Sequence, residues 1–193
     1  MLLYFNAQKG CTKMDAKECI KSRRSVRRFT DRVITHEEFE QLIDLAKMAQ
    51  TWKNTQTLRY VFVQDEAKIQ EIASTAMLGF EYNAKTVSQC KNLVVLTQKN
   101  CICGYERDGS FSTSKEKGWE MFDAGIAAQT FCLAANEAGF GTVILGIFDD
   151  AKVAEIIGLP DNMTVAALIP VGEPKFAPDP TPRKETGELV SYI

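Results

Sequence analysis

A chain of 193 residues has the length of one compact domain with a self-sufficient core. With 45% hydrophobic and 25% charged residues, it has the composition of a folded globular protein, not of a disordered segment. Lys and Arg number 23 against 25 Asp and Glu, a formal charge of −2, so no global field draws it to nucleic acid or to an anionic membrane.

Residues 1–14 read as an N-terminal extension ahead of a single domain over 15–193. The apolar opening Leu2-Leu-Tyr-Phe5 is too short for a signal-peptide core or a membrane span. Asp15 is placed to cap a helix from Ala16 to Ser22. Behind it stands a dense basic run, Lys21, Arg23, Arg24, Arg27 and Arg28, with the Ser25 hydroxyl among them. Thr35-His-Glu-Glu38 is a capping box, and Phe39, Leu42, Ile43, Ala46 and Ala49 recur behind it at helical spacing, which predicts a helix over 36–49. Leu58 to Gln64 favours a strand through Tyr60, Val61, Phe62 and Val63. Asp65 then caps a helix with Ile69, Ile72, Ala73 and Ala76 on one face. Asn92 to Thr97 reads as a second, buried strand, and the polar stretch 104–114 as a mobile connection able to act as a lid.

The longest helical pattern runs from Lys115 to Ala138 and stops at Gly139. Ala124, Gly125, Ala127, Ala128, Ala134 and Ala135 leave room for another backbone, so this helix is expected to be buried. Thr142 to Leu145 predicts a short strand, Asp149 caps a helix ending at Gly158, and Thr164 to Val171 predicts a further strand. Five of the six prolines fall between 170 and 182, which predicts an extended C-terminal arm of the kind that wraps a neighbour.

Few side chains offer acid–base or nucleophilic chemistry. His36 is the one histidine and lies in the first turn of a surface helix, a poor position for a triad or a multi-histidine metal site. Cys90 and the Cys101-Ile-Cys103 pair lack structural-zinc spacing. With Cys11, Cys19 and Cys132 they read as reduced thiols of a cytoplasmic protein. No glycine-rich dinucleotide or P-loop motif follows a strand. If the protein is an enzyme, a bound cofactor supplies the reactive atom. The basic run suits a phosphate-bearing ligand, but by composition alone an ordinary solvated surface stands slightly ahead, because charge runs at helix ends commonly do nothing more.

Four segments occur in an order that resembles the FMN-dependent nitroreductase family from about Ala16 to the end of the chain. They are Arg23-Arg-Ser-Val-Arg-Arg-Phe29, Ala49-Gln-Thr-Trp-Lys-Asn-Thr-Gln-Thr57, Asp123-Ala-Gly-Ile-Ala-Ala-Gln129 through Gly139 to Asp149, and Arg183-Lys184. The resemblance implies an α+β three-layer sandwich, a mostly antiparallel sheet flanked by helices, with the C-terminal arm exchanged across a homodimer. It implies FMN as cofactor and hydride taken from NADH or NADPH. Electrons then pass by a ping-pong mechanism to a small oxidised acceptor such as a nitroaromatic or quinone.

Residue by residue, the resemblance implies that Arg23, Arg24, Ser25, Arg183 and Lys184 hold the FMN phosphate and that Arg27 lies at the flavin N1 and O2 edge. Asn54 and Gln56 would come from the second subunit, Asn83 would meet the pyrimidine edge, and the backbone amides of Gly146 and Ile147 would face N5 and O4. Gln50 and Thr57 stand where the family motif carries proline. No metal, nucleic acid or membrane is implied as a partner. Acceptor choice is expected from Tyr105 to Trp119, with Phe111 or Trp119 near the substrate face. A non-catalytic flavin-binding or sensor protein, and a redox sensor built on Cys101 and Cys103, are the other readings.

Overall fold

The computed structural model describes residues 14–193, so the expected extension lies outside the described residues apart from Met14. Helix α1 (Ala16–Ser22) is capped by Asp15, whose side chain accepts the Glu18 N–H, and helix α2 (His36–Ala46) carries the full Thr35/Glu38 capping box. The expected last turn of α2 instead tightens into 3₁₀-type bonds, Met48 N–H to Leu45 and Ala49 N–H to Ala46, which satisfy carbonyls at the helix end. Strand β1 (Leu58–Val63), helix α3 (Glu66–Thr75) and strand β2 (Leu93–Lys99) follow the expected pattern.

Helix α4 (Glu81–Ser88) has no sequence signal behind it. Its Phe80 N-cap makes no side-chain capping bond, and two of its three buried residues, Asn83 and Thr86, are polar. Helix α5 (Gly118–Glu137) is followed by Gly139 at φ 84°, a left-handed position where a side chain is strained. Strand β3 (Gly141–Thr142) is shorter than expected, and Leu145 rejoins the sheet as a single bridge to Leu168. Helix α6 (Asp150–Ile157) starts at the Asp149 cap and ends on left-handed Gly158, and strand β4 is Met163–Gly172.

The four strands form one antiparallel sheet in the order β1-β2-β4-β3. Successive β2 residues face opposite sides. Leu93 and Val95 enter a core with α3, α4 and α6, whereas Val94 and Leu96 enter a core with α2 and α5. This is the expected three-layer sandwich. Between Leu96 and Thr97 the β2–β4 register slips by one residue. Ala166 and Ala167 then both face the α2/α5 core, as a bulge allows.

Helix α5 is buried on one face alone. Ala124, Ala127, Ala128, Phe131, Cys132 and Ala135 are enclosed, while Met121 and Phe122 are 55% and 59% exposed. The connection expected to be mobile is a hydrogen-bonded loop. Tyr105 bridges Phe111, the Ser112 N–H donates to the Gly104 carbonyl at 2.9 Å, and the Glu106 N–H donates to the Ser110 carbonyl at 2.8 Å. Just beyond β4 the chain pairs with the basic segment through the antiparallel Phe29–Pro174 bridge, and the arm then runs without regular structure apart from a 3₁₀ turn at Thr186–Glu188.

Candidate functional site

The basic run leaves α1 as an extended segment and joins the sheet beside β3. The Asn136 side chain of α5 donates to the Cys19 carbonyl (3.1 Å) and the Ser22 hydroxyl (2.9 Å), which sets where the run begins. The Val26 N–H then donates to the Thr142 carbonyl at 2.9 Å, with Ser25 bridging Thr142 in parallel. Val26 and Phe29 are buried anchors, and of the two cations between them Arg27 is half-buried and Arg28 exposed. The approach to β3 needs glycine: a Cβ on Gly141 would lie 2.5 Å from Val26 Cγ2 and 2.6 Å from its Cβ.

Among the described residues, Arg23, Arg24, Arg27 and Arg28 form no ion pair with a carboxylate. Arg24 bonds the carbonyls of Lys21 and Arg23, and Arg27 Nη1 bonds the Ser25 carbonyl at 3.3 Å. Arg27 Nε is buried with no partner, although leaving a buried donor unmade costs about 1–3 kcal/mol. Its guanidinium lies 5.5 Å from the Tyr82 ring centroid at the start of α4. One residue on, the Asn83 amide donates to the Ile147 carbonyl at 3.2 Å. The Asp149 N–H, donating to the Ala76 carbonyl at 2.7 Å, ties the same connection to the end of α3. Neither the Gly146 nor the Ile147 amide N–H has an acceptor among the described residues. Arg23, Arg24, Ser25, Arg27, Asn83, Gly146 and Ile147 therefore gather along one edge, where unpaired cations and free N–H groups suit a phosphate-bearing, electron-rich ligand. Arg23 also lies close enough to Cys132 of α5 to oppose the rise in thiol pKa caused by burial.

Asn54 and Gln56 are elsewhere. They sit on the turn around the 3₁₀ helix Trp52–Asn54, whose Trp52 ring packs 4.7 Å from Trp119 at the start of α5. The Trp52 N–H donates to Asp123 Oδ2 at 2.8 Å. The basic run attaches near Asn136, thirteen residues further along α5, which is roughly 20 Å at 1.5 Å per residue. Among the described residues no hydrogen bond, ion pair or ring contact joins the two groups within one chain. Lys53, Asn54 and Gln56 have φ of 45°, 54° and 51°, and such left-handed backbone costs about 1–2 kcal/mol per residue. Arg183 and Lys184 lie on the exposed arm, and the Arg183 guanidinium bonds Thr181 and Pro182 within that arm.

Phe111 packs at a tilt against Tyr105, ring centroids 4.9 Å apart, and Trp119 Nε1 donates to the Thr113 hydroxyl at 2.8 Å, so both belong to the α5 N-terminal end with Asn54. Cys103 is fully buried, and its S–H donates to Asp123 at 3.0 Å. Burial, and then Asp123, push its thiol pKa up to about 12. Sequence reasoning missed Tyr82 and Asp123. For Asp123 the available signal was a lone carboxylate inside the small apolar stretch of a long helix.

Residues 20–173 match the family model described as the nitroreductase family. The NADPH-flavin oxidoreductase of Vibrio harveyi is 30% identical over 168 residues, covering 86% of this chain and 68% of that protein. A crystal structure of a nitroreductase family protein from Clostridium novyi NT superposes with a TM-score of 0.72 at 28% identity, covering 84% of this chain and 86% of that one. A protein from Exiguobacterium sibiricum crystallised in complex with FMN shares the fold at a TM-score of 0.79 and 19% identity, covering 96% of this chain and all of its own. Motif order, sheet topology and a match across most of the sequence converge, and the chain belongs to the nitroreductase family.

Proposed function

We propose that this chain is an FMN-dependent oxidoreductase that takes hydride from NADH or NADPH and passes electrons to a small oxidised acceptor, a nitroaromatic, quinone or similar compound, by a ping-pong mechanism. The observation that carries the reading is the unpaired guanidinium cluster at Arg23, Arg24 and Arg27, one of whose buried N–H groups has no partner, beside the free amides of Gly146 and Ile147. These residues fit FMN. A dianionic phosphate satisfies Arg23, Arg24 and the Ser25 hydroxyl, and Arg183 and Lys184 add charge if the arm folds back.

When bound, FMN supplies a two-electron centre that accepts hydride from the nicotinamide and returns electrons to the acceptor. Arg27, packed on Tyr82, would hold positive charge at the edge of a bound flavin that becomes electron-rich on reduction. The Gly146 and Ile147 N–H groups donate toward the reacting edge, and Asn83 orients the Ile147 peptide that carries one of them. With FMN held there, both half-reactions could use one face and water could supply the protons, so no side-chain acid would be required.

The working unit is read as a homodimer of single domains spanning 15–193. The exposed apolar face of α5, with Met121 and Phe122 flanking Gly125, gives a second copy a surface to cover. A two-fold axis across α5, with the two copies antiparallel, would bring one chain's Asn54 and Gln56 toward the partner's arginine cluster. The apolar tip of the arm, Leu189, Val190 and Tyr192, is exposed and available to wrap the partner. A cytoplasmic setting is supported by the five described cysteines being free thiols, and no described helix is long and apolar enough to cross a membrane.

The test is the visible spectrum of the purified protein, followed anaerobically as NADH or NADPH is added. A flavin spectrum that bleaches and returns with menadione or a nitrofuran is the expected result. Colourless protein that takes up no FMN at micromolar concentration refutes the proposal, and tight FMN that neither nicotinamide reduces would mark a binding or sensor protein instead.

A further inference from the structure

The turn carrying Asn54 and Gln56 is strained, clamped and incompletely satisfied, all at once. Lys53, Asn54 and Gln56 adopt left-handed backbone, a state that persists only where the surroundings over-determine it and that clusters at ligand clamps. Three contacts do the fixing. Asp123 is 2% exposed, and its Oδ2 accepts both the Trp52 N–H (2.8 Å) and the Cys103 S–H (3.0 Å). The Thr51 hydroxyl accepts the Gln56 N–H at 3.1 Å, and the Lys53 ammonium reaches Glu106 at 3.4 Å. Trp52 Nε1 and Thr55 Oγ1 are nevertheless buried without partners. Two of the four such atoms among the described residues thus lie on this one turn, so its packing leaves polar groups unpaired in order to hold the strained backbone.

We propose that Asp123, supported by Cys103, is a positioning residue: its buried carboxylate fixes the start of the 51–57 turn so that Asn54 and Gln56 are presented, already ordered, to the flavin held by a second copy of the chain. The inference rests on the flavin-dimer reading above and names the residue that makes the partner's half of the site. A carboxylate only accepts, so it holds the Trp52 N–H and the Cys103 S–H in one fixed direction. Without it the left-handed residues relax toward ordinary helical backbone, and the ordering cost falls on flavin binding.

The test is a double-mutant cycle read by FMN affinity, from the quenching of flavin fluorescence by apoprotein, with the oligomeric state measured by sedimentation. Asp123→Ala weakens FMN binding about tenfold in the natural background, a size within the range of coupling between residues that share one hydrogen-bonded network. It has no further effect once Asn54→Ala and Gln56→Ala are present. If Asp123→Ala does not fold, the isosteric Asp123→Asn is carried through the same cycle, with a smaller loss that again vanishes in the Asn54→Ala/Gln56→Ala background. Unchanged affinity, or the same weakening in both backgrounds, overturns the inference, because a purely structural role is additive. Natural protein that binds FMN with an affinity indifferent to Asn54→Ala/Gln56→Ala overturns this inference alone, whereas natural protein that binds no FMN overturns the flavin reading with it.

Discussion

Replacing Gly141 with alanine should destabilise the fold at the point where the phosphate-binding segment is attached. The added methyl group would stand 2.5, 2.6 and 2.9 Å from Val26 Cγ2, Cβ and Cγ1. Because Val26 Cβ is fixed to the backbone, no side-chain rotation relieves that contact, and the segment must move off β3. Overpacking of this kind costs about 1–3 kcal/mol, and stretching the Val26–Thr142 hydrogen bond adds about 0.5–1.5 kcal/mol. For a domain of this size each kcal/mol lowers Tm by roughly 2–4 °C, so Gly141→Ala should melt roughly 3–18 °C below the natural protein. The assay is thermal unfolding of apoprotein by circular dichroism at fixed protomer concentration, with Gly118→Ala as control. A Cβ at Gly118, in the first turn of α5, meets nothing within 4 Å. FMN affinity should fall with Gly141→Ala, because Ser25 and Arg27 ride on the displaced segment. A Tm within about 2 °C of the natural protein would show that β3 and the basic segment are not locked together, and would refute the reasoning.

Further consequences can be measured separately. Arg27→Ala should leave oxidised FMN bound more weakly and move the flavin midpoint potential negative by tens of mV, about 30 mV for each 1.4 kcal/mol of lost preference for the reduced form; an unchanged potential would place Arg27 away from the flavin. Burial pushes the Cys90 thiol up to about 12, as it does that of Cys103. The folded state therefore prefers the protonated thiols, so their contribution is complete below the ordinary thiol value of 9.0 and is lost as pH rises toward about 12. Stability should fall more steeply between those limits in the natural protein than in Cys90→Ala, and parallel pH profiles would exclude Cys90 as a source of the alkaline loss. Phe122→Asp, on the exposed face of α5, should yield a folded monomer by sedimentation that has lost FMN affinity; a dimer of unchanged affinity would remove that face from the interface. Trp119→Ala with Phe111→Ala should alter acceptor kinetics, and identical KM values across quinone and nitrofuran acceptors would take both rings off the substrate face.

Much of the architecture was legible because its signals are local. The Asp15, Thr35, Asp65 and Asp149 caps bond N–H groups two or three residues ahead, and each began the expected helix. Alternation and β-branched runs located the longer strands. The arginine run, with its motif resemblance, marked the segment that the tertiary structure attaches to β3. Helix α4 escaped notice because it lacks a side-chain cap and buries Asn83 and Thr86, residues a hydrophobic pattern does not count.

What the chain alone could not specify are contacts between distant residues. The Asn83–Ile147 bond spans 64 residues and the Trp52–Asp123 bond spans 71, and no periodicity or spacing encodes either. The left-handed turn at Lys53, Asn54 and Gln56 is unfavourable by local preference and is held by the packing of α5 and the 101–117 loop around it. The amino-acid sequence by itself determined the elements and the chemistry of the basic segment, because capping, hydrophobic pattern and charge are properties of neighbours along the chain. Only the tertiary structure decided that Arg27 meets Tyr82, that Asp123 grips the Asn54 turn, and that the two groups stand at opposite ends of α5, because through-space pairing is set by how three layers pack.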